Sequence, residues 1–98
     1  MPSSPALWHL YLLECADGSL YAGIATDVAR RFQEHLSGKG ARYTRSHPPL
    51  RLVESRAIGT RSEALRAELA IKRLPRERKL AALLSPDLLS GMKAAKKK

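Results

Sequence analysis

Cysteine is almost missing from this chain. Cys15 is the only one, so an intrachain disulfide is excluded, as is any zinc site built on thiolates. A reducing, cytoplasmic setting is the expectation that follows. The sequence also lacks an apolar run long enough to span a bilayer. Nothing at the N-terminus reads as a signal peptide, because Met1 to Ala6 carry no basic residue and His9 interrupts the apolar stretch from Leu7 to Leu13. Acidic residues are scarce too: nine Asp and Glu stand against eighteen Lys and Arg, giving a net charge of +9. That imbalance points to a polyanionic partner or an acidic surface, with nucleic acid in first place, and the lack of a spanning run gives no expectation of a membrane. Four of the lysines, Lys93, Lys96, Lys97 and Lys98, crowd the last six residues, and setting them aside leaves about +5 on the rest.

What is present fits one domain, since 98 residues with 44% hydrophobic content make a single core. Leu7 to Cys15 is apolar on both alternating faces apart from His9 and Glu14, which suits a central strand. Leu20 to Ile24 reads as its hairpin partner, joined through Ala16-Asp17-Gly18 with a strong Asp-Gly turn signal. Register matters here, because Tyr11 and Tyr21 lie on the two arms. A two-residue turn would pair Glu14 with Tyr21 and put the two phenols on opposite faces of the hairpin. A three-residue loop with Gly18 left-handed would pair Leu13 with Tyr21 and Tyr11 with Gly23, so that both rings share a face, and one site holding both phenols predicts this loop.

Thr26 or Asp27 can cap a helix running to about Leu36, with Gly38 and Gly40 ending it. Its wheel puts Val28, Phe32 and Leu36 on the buried stripe, Arg31 and His35 together on one flank, and Arg30 on the opposite side toward solvent. A basic loop with Lys39, Arg42, Tyr43, Arg45 and His47 leads through Pro48-Pro49 into an alternating third strand, Leu50 to Ile58. Thr60-x-x-Glu63 is a capping box opening a helix that Pro75 stops. On that helix Leu65 and Leu69 fall on one side, Ala64 and Ile71 on the other, and Glu68 between them. An acid aimed at a core face either pairs with Lys72 one turn on or binds a divalent cation, which favours hard oxygen ligands. A further helix is expected from Arg76 to Leu84. Residues 1–6 read as a flexible lead, 7–84 as the domain, and 85–98 as an extension with a disordered Lys-rich tail.

In order, Tyr11, then Tyr21-Ala22-Gly23, then Arg31, His35 and Glu68 resemble the GIY-YIG nuclease domain, in which the second motif is Tyr-x-Gly and later helices supply an arginine and a glutamate. The likeness runs from about Leu7 to Leu74 and is greatest with the small single-domain branch, as if the N-terminal catalytic domain of an excision-repair nuclease stood alone. The first motif differs in having His9 and Leu10 where the family has glycine and isoleucine. Ile24 stands where repair-enzyme members carry a lysine, and the chain has no asparagine to match the one that follows the glutamate in several members.

The resemblance implies an α+β fold, a three-stranded antiparallel sheet flanked by three or more helices, and metal-dependent cleavage of phosphodiester bonds in DNA, as in repair or recombination. By the same resemblance Glu68 would bind one Mg²⁺ or Mn²⁺, Arg31 would stabilise charge on the scissile phosphate, and Tyr11 and Tyr21 would position and deprotonate water. His35 would assist a phenol or the water, and Gly23 would be the motif's structural glycine. Lys39, Arg42, Tyr43, Arg45 and Lys72 are the candidates for contact with the nucleic-acid backbone. Trp8, His9 and His47 read as core or loop residues, since a histidine is rarely a ligand without partners. The competing readings are a non-catalytic nucleic-acid-binding module that keeps the fold and charge, and a subunit that needs a protein partner to deliver substrate.

Overall fold

Three strands form where the apolar alternation predicts them, in a computed structural model that describes residues 6–85 and Leu88. The strands are β1 (Trp8–Cys15), β2 (Leu20–Ala25) and β3 (Pro49–Gly59). All pairings are antiparallel and the order is β2-β1-β3, so the most apolar strand is the central one. The helices are α1 (Val28–Leu36), α2 (Arg42–Ser46), α3 (Arg61–Lys72) and α4 (Arg76–Leu84). The expected flexible lead before Ala6 and the Lys-rich tail lie outside the described residues.

The hairpin takes the three-residue loop. Cys15 and Ser19 close it through Cys15 N–H donating to the Ser19 carbonyl at 2.9 Å and Gly18 N–H donating to the Cys15 carbonyl at 2.9 Å. Gly18 has φ +87°, a left-handed conformation that a side chain would strain. Leu13 therefore pairs with Tyr21 and Tyr11 with Gly23. One glycine thus decides which face of the sheet both phenols occupy.

Alternation along β1 sends its residues to two cores. Leu10 and Leu12 join Ala22, Ile58, Ala64, Ala67, Ile71 and Leu83 beneath α3 and α4. Tyr11 and Leu13 join Ala25 on the other face, with Tyr21, Val28, Phe32 and Leu52 packed alongside beneath α1. The sheet is the middle of three layers, and β2 is an edge strand that α1 and α3 flank from opposite sides. Asp27 caps α1 by accepting from Arg30 N–H at 3.1 Å. Thr60 and Glu63 complete both halves of the capping box on α3.

Three expectations need correction. Leu36 is exposed rather than buried, and the innermost residue of α1 is His35. Hydropathy ranks leucine over histidine, but the buried groups facing α1 here are hydroxyls, which an imidazole satisfies and a leucine does not. On α3 the buried face is Ala64, Ala67 and Ile71, while Leu65 and Leu69 are exposed. Alanines let the helix sit close to the sheet and turn its leucines outward. Finally, the basic segment is no irregular loop: residues 42–46 form the short helix α2, pinned by the buried Thr44.

Gly18→Ala is expected to destabilise the domain by roughly 1–2 kcal/mol, the cost of a left-handed backbone with a Cβ. Denaturant unfolding measures it, and an unchanged midpoint would show that the loop does not hold this conformation.

Candidate functional site

Tyr11 and Tyr21 project from one face of the hairpin with ring centroids 6.5 Å apart. His35 approaches both rings edge-on, at 6.0 Å from Tyr11 and 5.3 Å from Tyr21. The Tyr11 hydroxyl and His35 Nε2 are 2.9 Å apart and buried. On the ring's other side His35 Nδ1 lies 2.7 Å from Thr44 Oγ1, and the Thr44 hydroxyl donates to the Ala41 carbonyl at 2.9 Å. These distances fix the protons. A hydroxyl has one hydrogen, and that of Thr44 is spent on Ala41, so it accepts from His35 Nδ1–H. A neutral imidazole then offers the Nε2 lone pair, and the Tyr11 O–H donates to it.

The titration properties agree with that direction. Burial, with the Tyr21 phenol next to it, pushes Tyr11 up to about 12, and the hydrogen bond from Arg31 only partly opposes this. Burial first, then the Arg31 charge, holds His35 below its ordinary 6.5. Burial also raises Tyr21, against the opposing pull of Lys72. At neutral pH the pair is therefore a phenol donating to a neutral imidazole.

Arg31 faces the cluster as expected while Arg30 points outward, their side chains being 34% and 78% exposed. Arg31 donates to Glu34 at 2.8 Å, a bond that raises its already high pKa and holds the guanidinium beside Tyr11. From the far side of the β2 edge comes Glu68, whose side chain is 16% exposed and pairs with Lys72 Nζ at 3.1 Å. The Lys72 ammonium lies 5.9 Å from the Tyr21 ring centroid, and the Glu68 charge is felt by both phenols. So Tyr11, Tyr21, Arg31, His35, Glu68 and Lys72 converge around one strand edge. Tyr43 joins them by stacking on Tyr21, centroids 5.7 Å apart and planes 21° apart. Lys39, Arg42 and Arg45 are exposed around α2 and make no side-chain contact with the cluster among the described residues.

Several contributors escaped the sequence reading. Thr44 sets the imidazole's tautomer, and no local signal in the sequence marked it. His47 stacks on Tyr43 at 4.1 Å and lies 3.7 Å from Asp17, while the Tyr43 hydroxyl donates to Ser19 Oγ at 2.6 Å. The short helix is thereby tied to the hairpin turn. Two glycines are required for closeness: a Cβ on Gly23 would collide with the Tyr11 hydroxyl, and one on Gly40 with the His35 ring. Tyr-x-Gly is thus a steric statement about Tyr11.

Among the described residues no cluster of three or more His, Cys, Asp or Glu is placed to share an ion. Glu68 is a half-sheltered hard oxygen donor, and it suits an ion such as Mg²⁺ that keeps several waters and takes one or two carboxylates plus substrate phosphate. Lys72 would have to release it.

A phenol pair, an imidazole, a guanidinium and a carboxylate around a sheet edge make a surface fit for phosphate chemistry. The family model for the GIY-YIG catalytic domain matches residues 7–81, which sets the class as a nuclease-type α+β domain. The chain is 58% identical over 79 residues to a UPF0213 protein of Cupriavidus necator, covering 81% of this chain and 86% of that one. It is 61% identical over 74 residues to a UPF0213 protein of Xanthomonas axonopodis pv. citri, covering 76% and 72%. A protein of E. faecalis, solved in solution by NMR, superimposes with a TM-score of 0.52 at 35% identity over all of this chain and 94% of that one. The chain belongs to the GIY-YIG family, alongside the small UPF0213 proteins.

Two outcomes test this geometry. Gly23→Ala is expected to push the Tyr11 ring off His35 and cost on the order of 1–3 kcal/mol by overpacking, read as a lowered unfolding midpoint; an unperturbed midpoint would mean the strand has room. Because His35 is held below 6.5 in the fold, an unfolded chain takes up that proton more readily. The stability His35 contributes is therefore complete above pH 6.5 and lost as pH falls toward the depressed folded value. Unfolding midpoints should decline over that window in the native protein and less steeply in His35→Gln.

Proposed function

We propose that the domain is a divalent-metal-dependent endonuclease that hydrolyses phosphodiester bonds in DNA. The observation that carries this reading is the buried line from Tyr11 through His35 to Thr44, with Arg31 beside the phenol. A phenol held near 12 is no base by itself at neutral pH. With a neutral imidazole already accepting its proton, it can take one from an attacking water as it passes its own to His35 Nε2. The oxygen of that water forms the new bond to phosphorus while the bond to the leaving oxygen breaks. Arg31 faces the charge that grows on the phosphoryl oxygens, and its fork suits two of them. Tyr21, half-buried and held between Tyr43, His35 and Lys72, orders the water and shields the cluster. Glu68 would hold the ion, which when bound polarises a phosphoryl oxygen and lowers the pKa of water.

Lys39, Arg42, Arg45 and Lys72 are assigned to backbone contact, and Tyr43 to the wall beside it. Cys15, buried and unpaired, accords with a reducing cytoplasmic setting, and no helix among the described residues is long and apolar enough to cross a membrane. Repair or recombination is the natural context for a cutter that recognises backbone rather than bases.

One observation favours a second reading, a nucleic-acid-binding module: Lys72 closes on the carboxylate that should take the ion. Purified protein incubated at low salt with plasmid and branched DNA plus Mg²⁺ or Mn²⁺ separates the two. Tyr11→Phe is expected to lower cleavage about 10²–10⁴-fold, and Glu68→Ala to abolish the ion-dependent cleavage while leaving DNA affinity intact or stronger. Cleavage that is equal in all three proteins would be a contaminant and would sink the enzyme reading. Salt-sensitive binding without any cleavage would establish the module.

A further inference from the structure

At the end of β2 away from the hairpin turn, a groove of about 400 Å³ crosses the strand edge between the first turns of α1 and α3. That volume lies within the ~300–1,000 Å³ typical of small-ligand sites. Trp8, Ile24 and Leu65 make its apolar floor, and Arg30, Arg31 and Arg61 its cationic walls. The groove adjoins the phenol cluster directly. Ile24 follows Gly23, the residue paired with Tyr11, and Arg31 belongs to both. Glu34 pairs with both Arg30 and Arg31 and Asp27 also lines the groove, but Arg61 has no carboxylate partner among the described residues. Its guanidinium lies over the Trp8 ring, 5.7 Å from the centroid.

We propose that this groove is a subsite for an unpaired nucleotide of the substrate strand, with the base against Trp8, Ile24 and Leu65 and a flanking phosphate on Arg61. The proposal rests on the nuclease reading above, because it takes Arg31 as the residue that holds the scissile phosphate. A bare phosphate would leave the floor uncovered, and a neutral apolar ligand would leave Arg61 unanswered. A nucleotide answers both, since every base presents a π-face and every linkage an anion. A base inside a duplex is stacked on both faces and cannot enter a recess beside its own backbone, so the occupant has to be unpaired. The substrate selectivity of the enzyme would then lie at this groove, in the preference for a strand with a gap, flap or frayed end.

Trp8 is the only tryptophan in the chain, so its fluorescence reports on the groove alone. The full chain, in EDTA to prevent cleavage, is titrated with three DNAs of one sequence: a blunt duplex, the same duplex with a three-nucleotide single-stranded flap, and that flap with abasic residues. The flap is expected to quench Trp8 and to bind about tenfold more tightly than the blunt duplex, the magnitude of one stacked base; the abasic flap should do neither. Arg61 is exposed at the first position of α3, so Arg61→Ala should fold normally, lose most of the flap advantage and bind blunt duplex within about twofold of the native protein. Equal quenching by all three DNAs, or an Arg61→Ala loss equal on flap and duplex, would reduce the groove to a general phosphate contact and overturn the proposal. Quenching with no cleavage in Mg²⁺ would sink only the nuclease reading. Cleavage without quenching would sink only the subsite.

Discussion

The hydrogen bond between Tyr11 and His35 is the constraint around which the site is arranged. It joins the central strand to α1 through a buried contact of 2.9 Å, and neither group can be satisfied by water there. A buried polar group without a partner costs on the order of 1–3 kcal/mol, so both members require each other, and the imidazole's second nitrogen requires a third group. Thr44 is that group, which explains why residues 42–46 coil into a helix over α1 instead of crossing it as a loop. Gly23 and Gly40 follow from the same bond, because each leaves space that the phenol or the imidazole fills. Leu36 on the outside and His35 on the inside of α1 are another consequence.

The same bond separates the site's buried half from its exposed half. On the inner side Tyr11, His35 and Thr44 form a buried chain of hydrogen bonds. On the outer side Tyr21, Tyr43 and His47 stack in a row toward the hairpin turn, ending at Asp17 and Ser19. Arg31 and Glu68 sit at the border, one from each helix that flanks the β2 edge. Because α1 and α3 lie on opposite faces of the sheet, only a strand at the edge allows their side chains to meet. The order β2-β1-β3 is therefore as necessary to the cluster as the residues in it.

Electrostatics reinforce this division. Arg31 stays beside the phenol because Glu34 holds it, and Lys72 occupies Glu68 while lying over the Tyr21 ring. Both catalytic candidates that carry full charge are thus neutralised by a neighbour on their own helix. A phosphate arriving at the edge would compete with Glu34 for Arg31 and draw Lys72 away from Glu68, so substrate and ion binding are coupled through these two pairs. The groove beyond Ile24 differs in leaving Arg61 without a carboxylate partner among the described residues, a cation placed one step along the strand from the phenols.

Sequence alone determined the three strands, the helices α1, α3 and α4, their order, and the tyrosines, arginine, histidine and glutamate that the cluster is built on. Alternation gave the central strand, the Asp-Gly pair the hairpin, the capping box the helix that bears Glu68, and the ordered tyrosines, arginine, histidine and glutamate the family. Those signals are local, and local physics sets them: steric freedom at glycine, cap hydrogen bonds and the periodicity of apolar residues. Tertiary structure decided which loop closed the hairpin, that α2 exists, that His35 is buried in place of Leu36, and that Thr44 holds the imidazole's proton in position. It also turned Leu65 outward and brought Trp8 and Arg61 to one groove. Each of these depends on which polar group or cavity meets a residue from a distant segment, and no single stretch of sequence contains its partner.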